Sequence, residues 1–364
     1  MTLLLNDADV EHVLDMRGCI SALEDAFRDM GQGTVVNAFR RDSFMASSRP
    51  DAYYSFKTIE GGLERLGVMA QRINSDLLTY QEVEGFPRRV KVPAAPGNRY
   101  VGLVFLYSSE TLELLAIITD GHLQRMRVAG STGVGAKHLA REDANTAALF
   151  GSGWQAEAAA WALAAVRPLS AIRVFSPNAE HRKSFAEKVA STLEIEVRTA
   201  EDPKEAIRGA DIVSCATNAH GPPVVLAEWI EPGMHLTSIL PSDFDEHCWE
   251  RSELIITSGE MGREGRGSFR TRHPRLSSFR TDDFGVSIEV ERLKRFKDKI
   301  YLLSDLLVGK APGRTTSAQI TMMNKNWGLG IEFASVAKLV YDRARDAGVG
   351  REIPTDCFSQ TSHP

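Results

Sequence analysis

The chain has few cysteines, no long apolar run and no excess of positive charge, and each of these shortages excludes a class of protein. Four cysteines are scattered through 364 residues and form no CxxC pair. We therefore expect reduced thiols, with neither a disulfide framework nor a structural zinc site, and we predict no metal. No apolar run approaches the roughly 20 residues that span a bilayer, which argues against a membrane protein.

Charge and composition exclude further classes of protein and binding partner. The chain carries 43 Lys and Arg against 48 Asp and Glu, a formal net charge of −5. This balance argues against nucleic acid or an anionic membrane as a partner. The first residues, MTLLLNDADVEHVL, lack a basic leader, so we predict a cytoplasmic protein. With 43% hydrophobic and 25% charged residues, the chain has an ordinary globular composition and enough length for two domains.

The most informative stretch is TAALFGSGWQAEAAAWALA, which starts at Thr146. Its first five residues predict a short buried strand, and a helix-forming run follows the glycines. A strand, a tight glycine turn and a helix start are typical of a dinucleotide-binding βαβ unit. Gly151 would make the turn, Gly153 would let a pyrophosphate approach the backbone, and Ala156 would lie where helix meets strand. The alternative is a structural glycine turn in another kind of α/β domain.

The surrounding chain predicts two kinds of architecture. Strands expected at 171–175 and 212–216 continue an alternation of strands and helices, which is typical of a parallel sheet. The segments between residues 34 and 119 predict an antiparallel sheet with a hairpin turn at 108–111. Helices are predicted at 6–30, from 123 to 140 and at 331–347. The basic stretch 262–283 predicts an exposed loop, with a lid over an anionic ligand as the alternative.

Several segments together resemble the ornithine cyclodeaminase/mu-crystallin family. They are, in order, QRMRVAGSTGVGAKHLARED, GSGWQAEAAAWAL, GADIVSCATN, WIEPGMHLTSI and GRTTSAQIT. The resemblance implies an α/β fold with a Rossmann NAD(P)-binding domain at 129–321. It also implies a discontinuous α+β domain for substrate binding and dimerisation at 1–128 and 322–364, and hence a homodimer.

The resemblance also implies which residues hold the substrate. Arg127 matches the arginine that binds the α-carboxylate, a role that suits two parallel guanidinium donors. Arg125 is an equal candidate from composition alone. Arg40 resembles a further arginine near the carboxylate, and the neighbouring Arg41 is the alternative.

Two positions depart from the family pattern. Arg72 stands where the family usually has a lysine that assists proton transfer, and arginine does not readily lose a proton. Lys57, on a neighbouring predicted strand, could supply the missing ammonium, or it could be a rim lysine. Cyclodeaminases carry an aspartate after the strand that matches HLTSI. Here Asp243 and Asp245 fit better as caps of the next helix, which weighs against cyclisation.

The cofactor contacts are predicted from the glycine turn and the ends of the following strands. NAD-specific folds place an acid at the end of the second strand, whereas this chain has serine, asparagine and a nearby arginine. NADP(H) is therefore preferred and NAD(H) is the alternative, which Glu180 would favour if it reached the ribose. The predicted set is Gly151, Ser152, Gly153, Trp154, Gln155, Ala156, Ser176, Asn178, Arg182, Ala216, Thr217, Asn218, Ser238 and Ile239.

These features predict an NADP(H)-dependent reductase or dehydrogenase of a small α-imino or α-amino acid. Arg72, Lys57 and Arg127 are the catalytic candidates, and Arg40, Arg72 and Arg127 the substrate-binding ones. The first alternative is an ornithine-cyclodeaminase-type ammonia-lyase that uses NAD catalytically. The second is a non-catalytic protein that binds NADPH and a small ligand, as mu-crystallin does.

Overall fold

The computed structural model describes residues 1–83, 86–218, 222–259, 268–271, 274, 276, 286–324 and 328–362, and these residues build two sheets with helices around them. The strands are β1 (Thr2–Leu5), β2 (Val35–Asn37), β3 (Arg41–Ala46), β4 (Ala52–Leu63), β5 (Val68–Val83), β6 (Phe86–Val92), β7 (Val101–Ser108), β8 (Leu114–Thr119), β9 (Thr146–Phe150), β10 (Ala171–Phe175), β11 (Glu196–Thr199), β12 (Ile212–Cys215), β13 (His235–Ser238), β14 (Leu254–Thr257), β15 (Ser268–Arg270), β16 (Ile300–Leu302), β17 (Thr321–Asn324) and β18 (Arg351–Ile353). The helices are α1 (Asp7–Val13), α2 (Met16–Gln32), α3 (Asp120–Leu139), α4 (Trp154–Val166), α5 (Ala179–Leu193), α6 (Pro203–Ile207), α7 (Glu246–Arg251), α8 (Val286–Arg295), α9 (Leu303–Leu307) and α10 (Gly330–Ala347).

The N-terminal sheet has the strand order β15-β3-β4-β5-β7-β8-β1-β18, with β2 on β4 and β6 on β5. Its hairpins pair antiparallel, as the alternating sequence predicts, while β1 pairs parallel with β8. Helices α2, α3 and α10 cover one face and share a core that includes Leu23, Phe27, Ile331 and Phe333. The long strands β4 and β5 extend beyond these helices and carry the polar residues described below.

The predicted first helix is two helices in the structure. Helix α1 ends at Val13, and Asp15 begins α2 by accepting a hydrogen bond from the backbone N–H of Gly18 at 2.8 Å. An aspartate that caps a helix with its side chain has extended, not helical, backbone angles, so the helix is interrupted at Asp15.

The second sheet contains eight parallel strands in the order β11-β10-β9-β12-β13-β17-β14-β16. The chain runs outward from β9 to β11 and then returns to the other side of β9 at β12. Helix α4 packs its alanines on this sheet, with Ala156, Ala160 and Leu163 fully buried. The strand order reverses between β9 and β12, which is where ligands bind in such sheets. The predicted α/β class is confirmed.

The connections differ in detail from the predicted domain limits. The boundary proposed at residue 322 falls within β17, which lies between β13 and β14, so the parallel sheet continues to Asn324. Helix α3 spans the other boundary and packs against both α2 and α4. The chain then returns to the N-terminal sheet through α10 and β18. The division into two domains stays a prediction.

The basic stretch 262–283 is not wholly a loop. Residues 268–270 form β15, which pairs parallel with β3, and the prediction is wrong there. This pairing connects segments more than 200 residues apart, which local sequence patterns do not reveal. Of the remaining residues in the stretch, only 271, 274 and 276 lie within the described part of the chain.

Some features of the composition can be placed in the structure. Cys19, Cys215 and Cys248 are free and buried, whereas Cys357 is free and exposed. In the part of the chain that the structure describes, no His, Cys, Asp and Glu side chains cluster as a metal site. Within the same residues, every helix is too short or too polar to cross a bilayer.

Candidate active site

The two glycines after β9 have different structural roles. Gly151 has φ +110°, and a Cβ there would lie 2.5 Å from the carbonyl oxygen of Ala216, so the turn requires glycine. Gly153 is the N-cap of α4, and a Cβ there would meet no atom within 4 Å. The backbone therefore turns tightly at Gly151 and opens towards free space at Gly153. Gly151 thus makes the tight turn, and the open space at Gly153 leaves room for the pyrophosphate, whose approach there stays a prediction.

A cavity of about 610 Å³ lies at this turn, along the carboxyl ends of β9, β10, β12 and β13. Eleven of the fourteen predicted cofactor residues line it: Gly151, Ser152, Gly153, Trp154, Gln155, Ser176, Asn178, Ala216, Thr217, Asn218 and Ile239. The sequence prediction missed five lining residues: Phe150, Phe175, Pro177, His181 and Val224. The first two end β9 and β10, so their position at the sheet edge was a signal that could have found them.

The other three predicted cofactor residues lie behind the cavity wall. Ala156 is fully buried between helix and sheet, and Ser238 is 3% exposed. Arg182 is turned inward: its Nη1 donates to the carbonyl of Ser176 at 2.7 Å, and its Nη2 pairs with Glu201 at 3.1 Å. Its guanidinium is thus directed away from the cavity, and contact of Arg182 with a cofactor stays a prediction. The arginine instead supports the tip of β10.

The residues of the cavity fit a dinucleotide. The first turn of α4 has no side-chain cap, so its backbone N–H groups and the positive end of the helix are available to phosphates. Gln155 Oε1 is buried and has no hydrogen-bond partner among the described residues, which suits a polar ligand atom. At the end of β10, Ser152 Oγ donates to Ser176 Oγ at 2.9 Å, and Asn178 Oδ1 accepts from His181 N at 2.8 Å. No acid is among the described lining residues.

Asp243 does not cap a helix, which corrects the prediction. It lies in the short turn Pro241–Asp243, 2% exposed, and accepts a hydrogen bond from Thr217 Oγ1 at 2.7 Å. Burial raises the pKa of the Asp243 carboxyl to about 7. The hydrogen bonds with the Thr217 side chain and with the Leu240 backbone lower this pKa but do not cancel the effect of burial. Asp245, in contrast, caps α7 through the N–H of Cys248, as predicted. A protonatable carboxyl thus stands behind the cavity residue Thr217.

A second polar group lies on the N-terminal sheet. Strand register places Asp42, Lys57, Asn74 and Gly102 side by side across β3, β4, β5 and β7, so their side-chain positions share one face. Arg72 is two residues from Asn74 along β5 and faces the same way. Its Nε and Nη2 donate to Asp120 Oδ2 at 2.9 and 2.7 Å, and Asn74 contacts the same oxygen at 3.2 Å.

Lys57 is buried in this group. Its Nζ lies 3.2 Å from Asp76 Oδ2, with 9% and 2% of the two side chains exposed. Burial is the largest effect and lowers the pKa of the Lys57 ammonium to about 7. Asp76 opposes the shift, whereas Arg40, Arg89 and Lys91 add to it. An amine with this pKa can donate or accept a proton near neutral pH. The interpretation of Lys57 as a rim residue is wrong, because the side chain is buried.

Arg127 approaches Arg72 from the facing helix. Its Nη1 pairs with Glu332 at 2.9 Å, and its Nε and Nη2 donate to Gln124 Oε1 at 3.1 and 2.8 Å. The ring of Phe333 lies 4.7 Å from the Cζ atom of Arg127 and 5.2 Å from that of Arg72. The two guanidinium groups therefore meet at one phenylalanine.

The alternative arginines point elsewhere. Arg125 stacks on Trp161 at 4.3 Å and pairs with Glu157 at 2.8 Å, on the side of the parallel sheet. Arg41 is exposed and lies opposite Thr58, on the other face of the N-terminal sheet. Arg40 forms a two-point ion pair with Asp42, at 2.8 and 2.7 Å, on the face that carries Lys57. The positions favour Arg127 and Arg40 over their neighbours.

The structure thus brings four predicted residues, Arg40, Lys57, Arg72 and Arg127, to one region. The sequence prediction missed their partners: Asp42, Asn74, Asp76, Asp120, Gln124 and Glu332. The alternating positions 72, 74 and 76 were a usable signal for part of this set, because they share one face of a strand. Helix α3 links the group to the cavity: Asp120 contacts Arg72 at its start, and Arg125 donates to the carbonyl of Trp154 at 3.0 Å.

Comparisons with known proteins agree with this architecture. The sequence profile of the ornithine cyclodeaminase/mu-crystallin family matches residues 1–348. A Delta(1)-pyrroline-2-carboxylate reductase of Bacillus cereus is 28% identical over 268 residues, which are 72% of this chain and 78% of that protein.

Two solved structures resemble the whole chain. The structure of Thermococcus litoralis Delta(1)-pyrroline-2-carboxylate reductase, in complex with NADH and L-proline, is 26% identical with a TM-score of 0.76. It covers 97% of this chain and all of its own. An archaeal alanine dehydrogenase dimer with bound NAD is 20% identical with a TM-score of 0.75, over 97% of this chain and 99% of its own. At 20% identity, the resemblance to the alanine dehydrogenase shows a shared fold.

Proposed function

The chain belongs to the ornithine cyclodeaminase/mu-crystallin family, and from this premise we propose that it is a nicotinamide-dependent oxidoreductase acting on a C=N bond. Its substrate would be a small α-imino acid, reduced to the α-amino acid, or the reverse. The carrying observation is that α3 joins a dinucleotide-type cavity to a buried group of cations. The reductase relative from Bacillus cereus and the NADH and L-proline complex from Thermococcus litoralis support the same chemistry.

Different residues of the chain bind the substrate and transfer the proton in this proposal. When bound, a dihydronicotinamide would supply a hydride to the imine carbon, and the chain would supply the proton that the imine nitrogen gains. Arg127 and Arg72 provide guanidinium donors for the substrate carboxylate, and Phe333 holds both groups in place. Glu332 and Gln124 fix the orientation of Arg127. Lys57 holds the proton, because its buried ammonium can lose it near neutral pH.

The two glycines of the turn should respond differently to alanine. In Gly153→Ala the new methyl group enters the open cradle, so the affinity for NAD(P)H should fall about tenfold or more with little change in melting temperature. In Gly151→Ala the positive φ and the close Ala216 carbonyl should lower the melting temperature itself. Calorimetry and a cofactor titration by fluorescence measure both effects. Unchanged cofactor affinity in Gly153→Ala would place the phosphates elsewhere.

NADP(H) is the preferred cofactor in this proposal. Ser176, Asn178 and His181 line the end of the cavity at β10 without an acid that would bind the ribose 2′-hydroxyl. Asn178→Asp keeps a good helix cap and adds one negative charge there. We expect it to lower the NADPH-to-NADH ratio of kcat/KM by about tenfold or more.

The control for this prediction is Glu180→Gln, which changes the charge in the same helical turn. Glu180 is exposed and is not among the lining residues. We expect the coenzyme ratio to stay close to that of the wild type. A large shift in Glu180→Gln with none in Asn178→Asp would instead identify Glu180 as the ribose-binding acid, and NAD(H) as the cofactor.

We also propose a homodimer. The face of the N-terminal sheet opposite α10 carries partly exposed apolar side chains in neighbouring strands: Phe56, Ile73, Leu103, Phe105 and Ile117. Apolar patches of this kind mark interaction surfaces, and a second copy offers a matching one. Light scattering after size exclusion gives the mass. The cytoplasmic location stays a prediction.

The function is tested by following NADPH and NADH oxidation with cyclic imino acids and with 2-oxo acids plus ammonia or methylamine. We expect consumption on at least one of these, faster with NADPH. Tight NADPH binding without consumption on any of them would favour the non-catalytic, mu-crystallin-like alternative.

The cyclodeaminase alternative gains one observation from the structure. The buried Asp243, whose pKa is raised to about 7, stands behind Thr217 at the cavity, where the sequence indicated only a helix cap. Release of ammonia from L-ornithine at constant NADH absorbance would favour this lyase reaction. Net consumption of reduced cofactor would favour the reductase.

A further inference from the structure

One side chain of α3 contacts the helix turn that follows the two glycines. Arg125 Nε donates to the backbone carbonyl of Trp154 at 3.0 Å, and Arg125 Nη2 lies 2.8 Å from Glu157 Oε2. The Cζ atom of Arg125 lies 4.3 Å from the ring centre of Trp161 and 5.7 Å from that of Trp154. These three residues occupy positions i, i+3 and i+7 of α4, so they share one face of that helix. Arg125 therefore contacts the start of α4 along this face.

This set of contacts suits an arginine. A carbonyl oxygen, a carboxylate and an aromatic ring surround one guanidinium, which has directed N–H donors at its edge and a flat face for the ring. A lysine ammonium could pair with Glu157, but it has no planar group to lie on Trp161. The side chains of Arg125 and Glu157 are 14% and 8% exposed, so salt and water screen their ion pair less than one on the open surface.

The same turn of α3 carries Arg127. Two residues of an α-helix are separated by about 200° around the helix axis and by about 3 Å along it. Arg127 accordingly points to Glu332 and Phe333, whereas Arg125 points away from them to α4. One helical turn thus fixes both the arginine proposed for the substrate carboxylate and the backbone proposed for the cofactor phosphates.

Beyond Arg125, α3 and α4 pack through small apolar residues. A Cβ at Gly133 would lie 3.4 Å from the Cβ of Ala162, and Ala162 shares a core with Met126. Apolar contacts bring the two helices close together but have no preferred direction. The hydrogen bond and the ion pair of Arg125 are directional, and they act on the first turn of α4, beside the open backbone at Gly153.

We propose that Arg125 is a positioning residue for hydride transfer, which holds the first turn of α4 against Arg127 and so sets the distance between the bound cofactor and the imine carbon. This inference rests on the proposed reductase function. Arg125 is not among the described residues that line the cavity, so its loss should slow the transfer with little change in either affinity. A displacement of about 1 Å can lower the rate of such a step by about 10²-fold.

The test is single-turnover oxidation of NADPH in a stopped-flow instrument, with enzyme in excess over NADPH and with the cyclic imino acid, or the 2-oxo acid and amine, that the wild type reduces fastest. NADPH deuterated at C4 identifies the hydride-transfer step by its isotope effect. We expect Arg125→Met to lower the rate constant of this step by about 10- to 100-fold, while the Kd of NADPH and the KM of the imine change by less than about threefold. Arg125→Lys, which keeps the charge beside Glu157, should have an intermediate rate constant.

Lys188→Gln is the matched control. Lys188, on α5, contacts the same Glu157 oxygen at 2.9 Å and is 62% exposed. We expect the wild-type rate constant and isotope effect in this variant. Melting temperatures are recorded for every variant, because a purely structural role of Arg125 would lower the melting temperature and the amplitude of the reaction. It would leave the first-order rate constant unchanged, since this constant does not depend on how much enzyme is folded.

The outcomes separate this inference from the proposed function. A wild-type rate constant in Arg125→Met, or an equal fall in Lys188→Gln, overturns the positioning role and leaves the reductase intact. If Arg125→Met does not fold, Arg125→Lys and Glu157→Gln decide: a slower hydride transfer in both supports the role, and wild-type rate constants in both overturn it. If the wild type oxidises NADPH with none of the imines, the reductase and the positioning role are both wrong.

Discussion

Arg127→Ala should lower kcat/KM for the imino acid by about 10²- to 10³-fold while NADPH affinity stays close to that of the wild type. The guanidinium lies 4.7 Å from the Phe333 ring and is held by Glu332 and Gln124, so its remaining N–H groups are fixed in direction. Its loss removes two charge-assisted hydrogen bonds and the alignment of the imine carbon. We expect KM to rise and kcat to fall together. Stopped-flow and steady-state assays measure this, with a fluorescence titration for the cofactor.

Stability must be separated from this effect. Alanine at position 127 leaves Glu332 buried without its cation, which should cost about 3–5 kcal/mol of unfolding free energy. Arg127→Lys keeps the charge but offers no planar fork, so it should retain the fold and still lose most activity. Arg343→Lys, on the helix α10 that also carries Glu332, is the matched control, since Arg343 pairs with Asp15 and with the Val13 carbonyl. Equal losses in the two lysine variants would contradict a special role of Arg127.

Lys57→Met should lower kcat for imine reduction by about 10²- to 10⁴-fold, the range of general acid catalysis. In the wild type the ammonium is the proton-donating form and its pKa is about 7, so the reduction rate should fall as pH rises through this value. Oxidation of the amine needs the neutral form instead, so its rate should rise over the same interval. The fall of the reduction rate and the rise of the oxidation rate, which are the two limbs of the pH profiles, should both be absent in Lys57→Met. Persistence of the wild-type limbs in this variant would remove Lys57 from proton transfer.

The neighbours of Lys57 allow a signed test. Asp76 raises the pKa of Lys57, so Asp76→Asn should move the descending limb to lower pH. Lys91 lowers it, and Lys91→Gln should move the limb to higher pH. Asp42 and the cations Arg40 and Arg89 remain in both variants. Because Lys91 is 43% exposed, its variant should fold, and a shift in the wrong direction there would contradict the assignment.

The cofactor region could be predicted well because its signals are contiguous. Strand β9, the turn at Gly151 and Gly153, and helix α4 lie within about twenty residues, and each requires a residue type that the printed sequence displays. The ends of the next strands followed from the α/β alternation. The inward direction of Arg182 could not be predicted, because residues in a helix's first turn point in different directions and the packing of this side chain against Phe175 depends on the fold.

The cation groups were predictable only in part. Arg40, Arg72 and Arg127 were found through the family resemblance, and Lys57 was found from its place on a neighbouring predicted strand, but their acids come from distant segments. Glu332 is 205 residues from Arg127, and Asp120 is 48 from Arg72. The depressed pKa of Lys57 and the raised pKa of Asp243 both result mainly from burial. Burial depends on which surfaces meet, which residue types alone do not specify.

The sequence by itself determined the α/β class, the dinucleotide-type turn and the family, because strand and helix periodicity and the glycine spacing are local properties. The tertiary structure alone decided that β15 joins the N-terminal sheet, that Asp243 is a buried acid and not a cap, and that Arg72 and Arg127 meet at Phe333. Each of these depends on contacts between residues far apart in the chain, whose free energy exists only once the fold has brought them together.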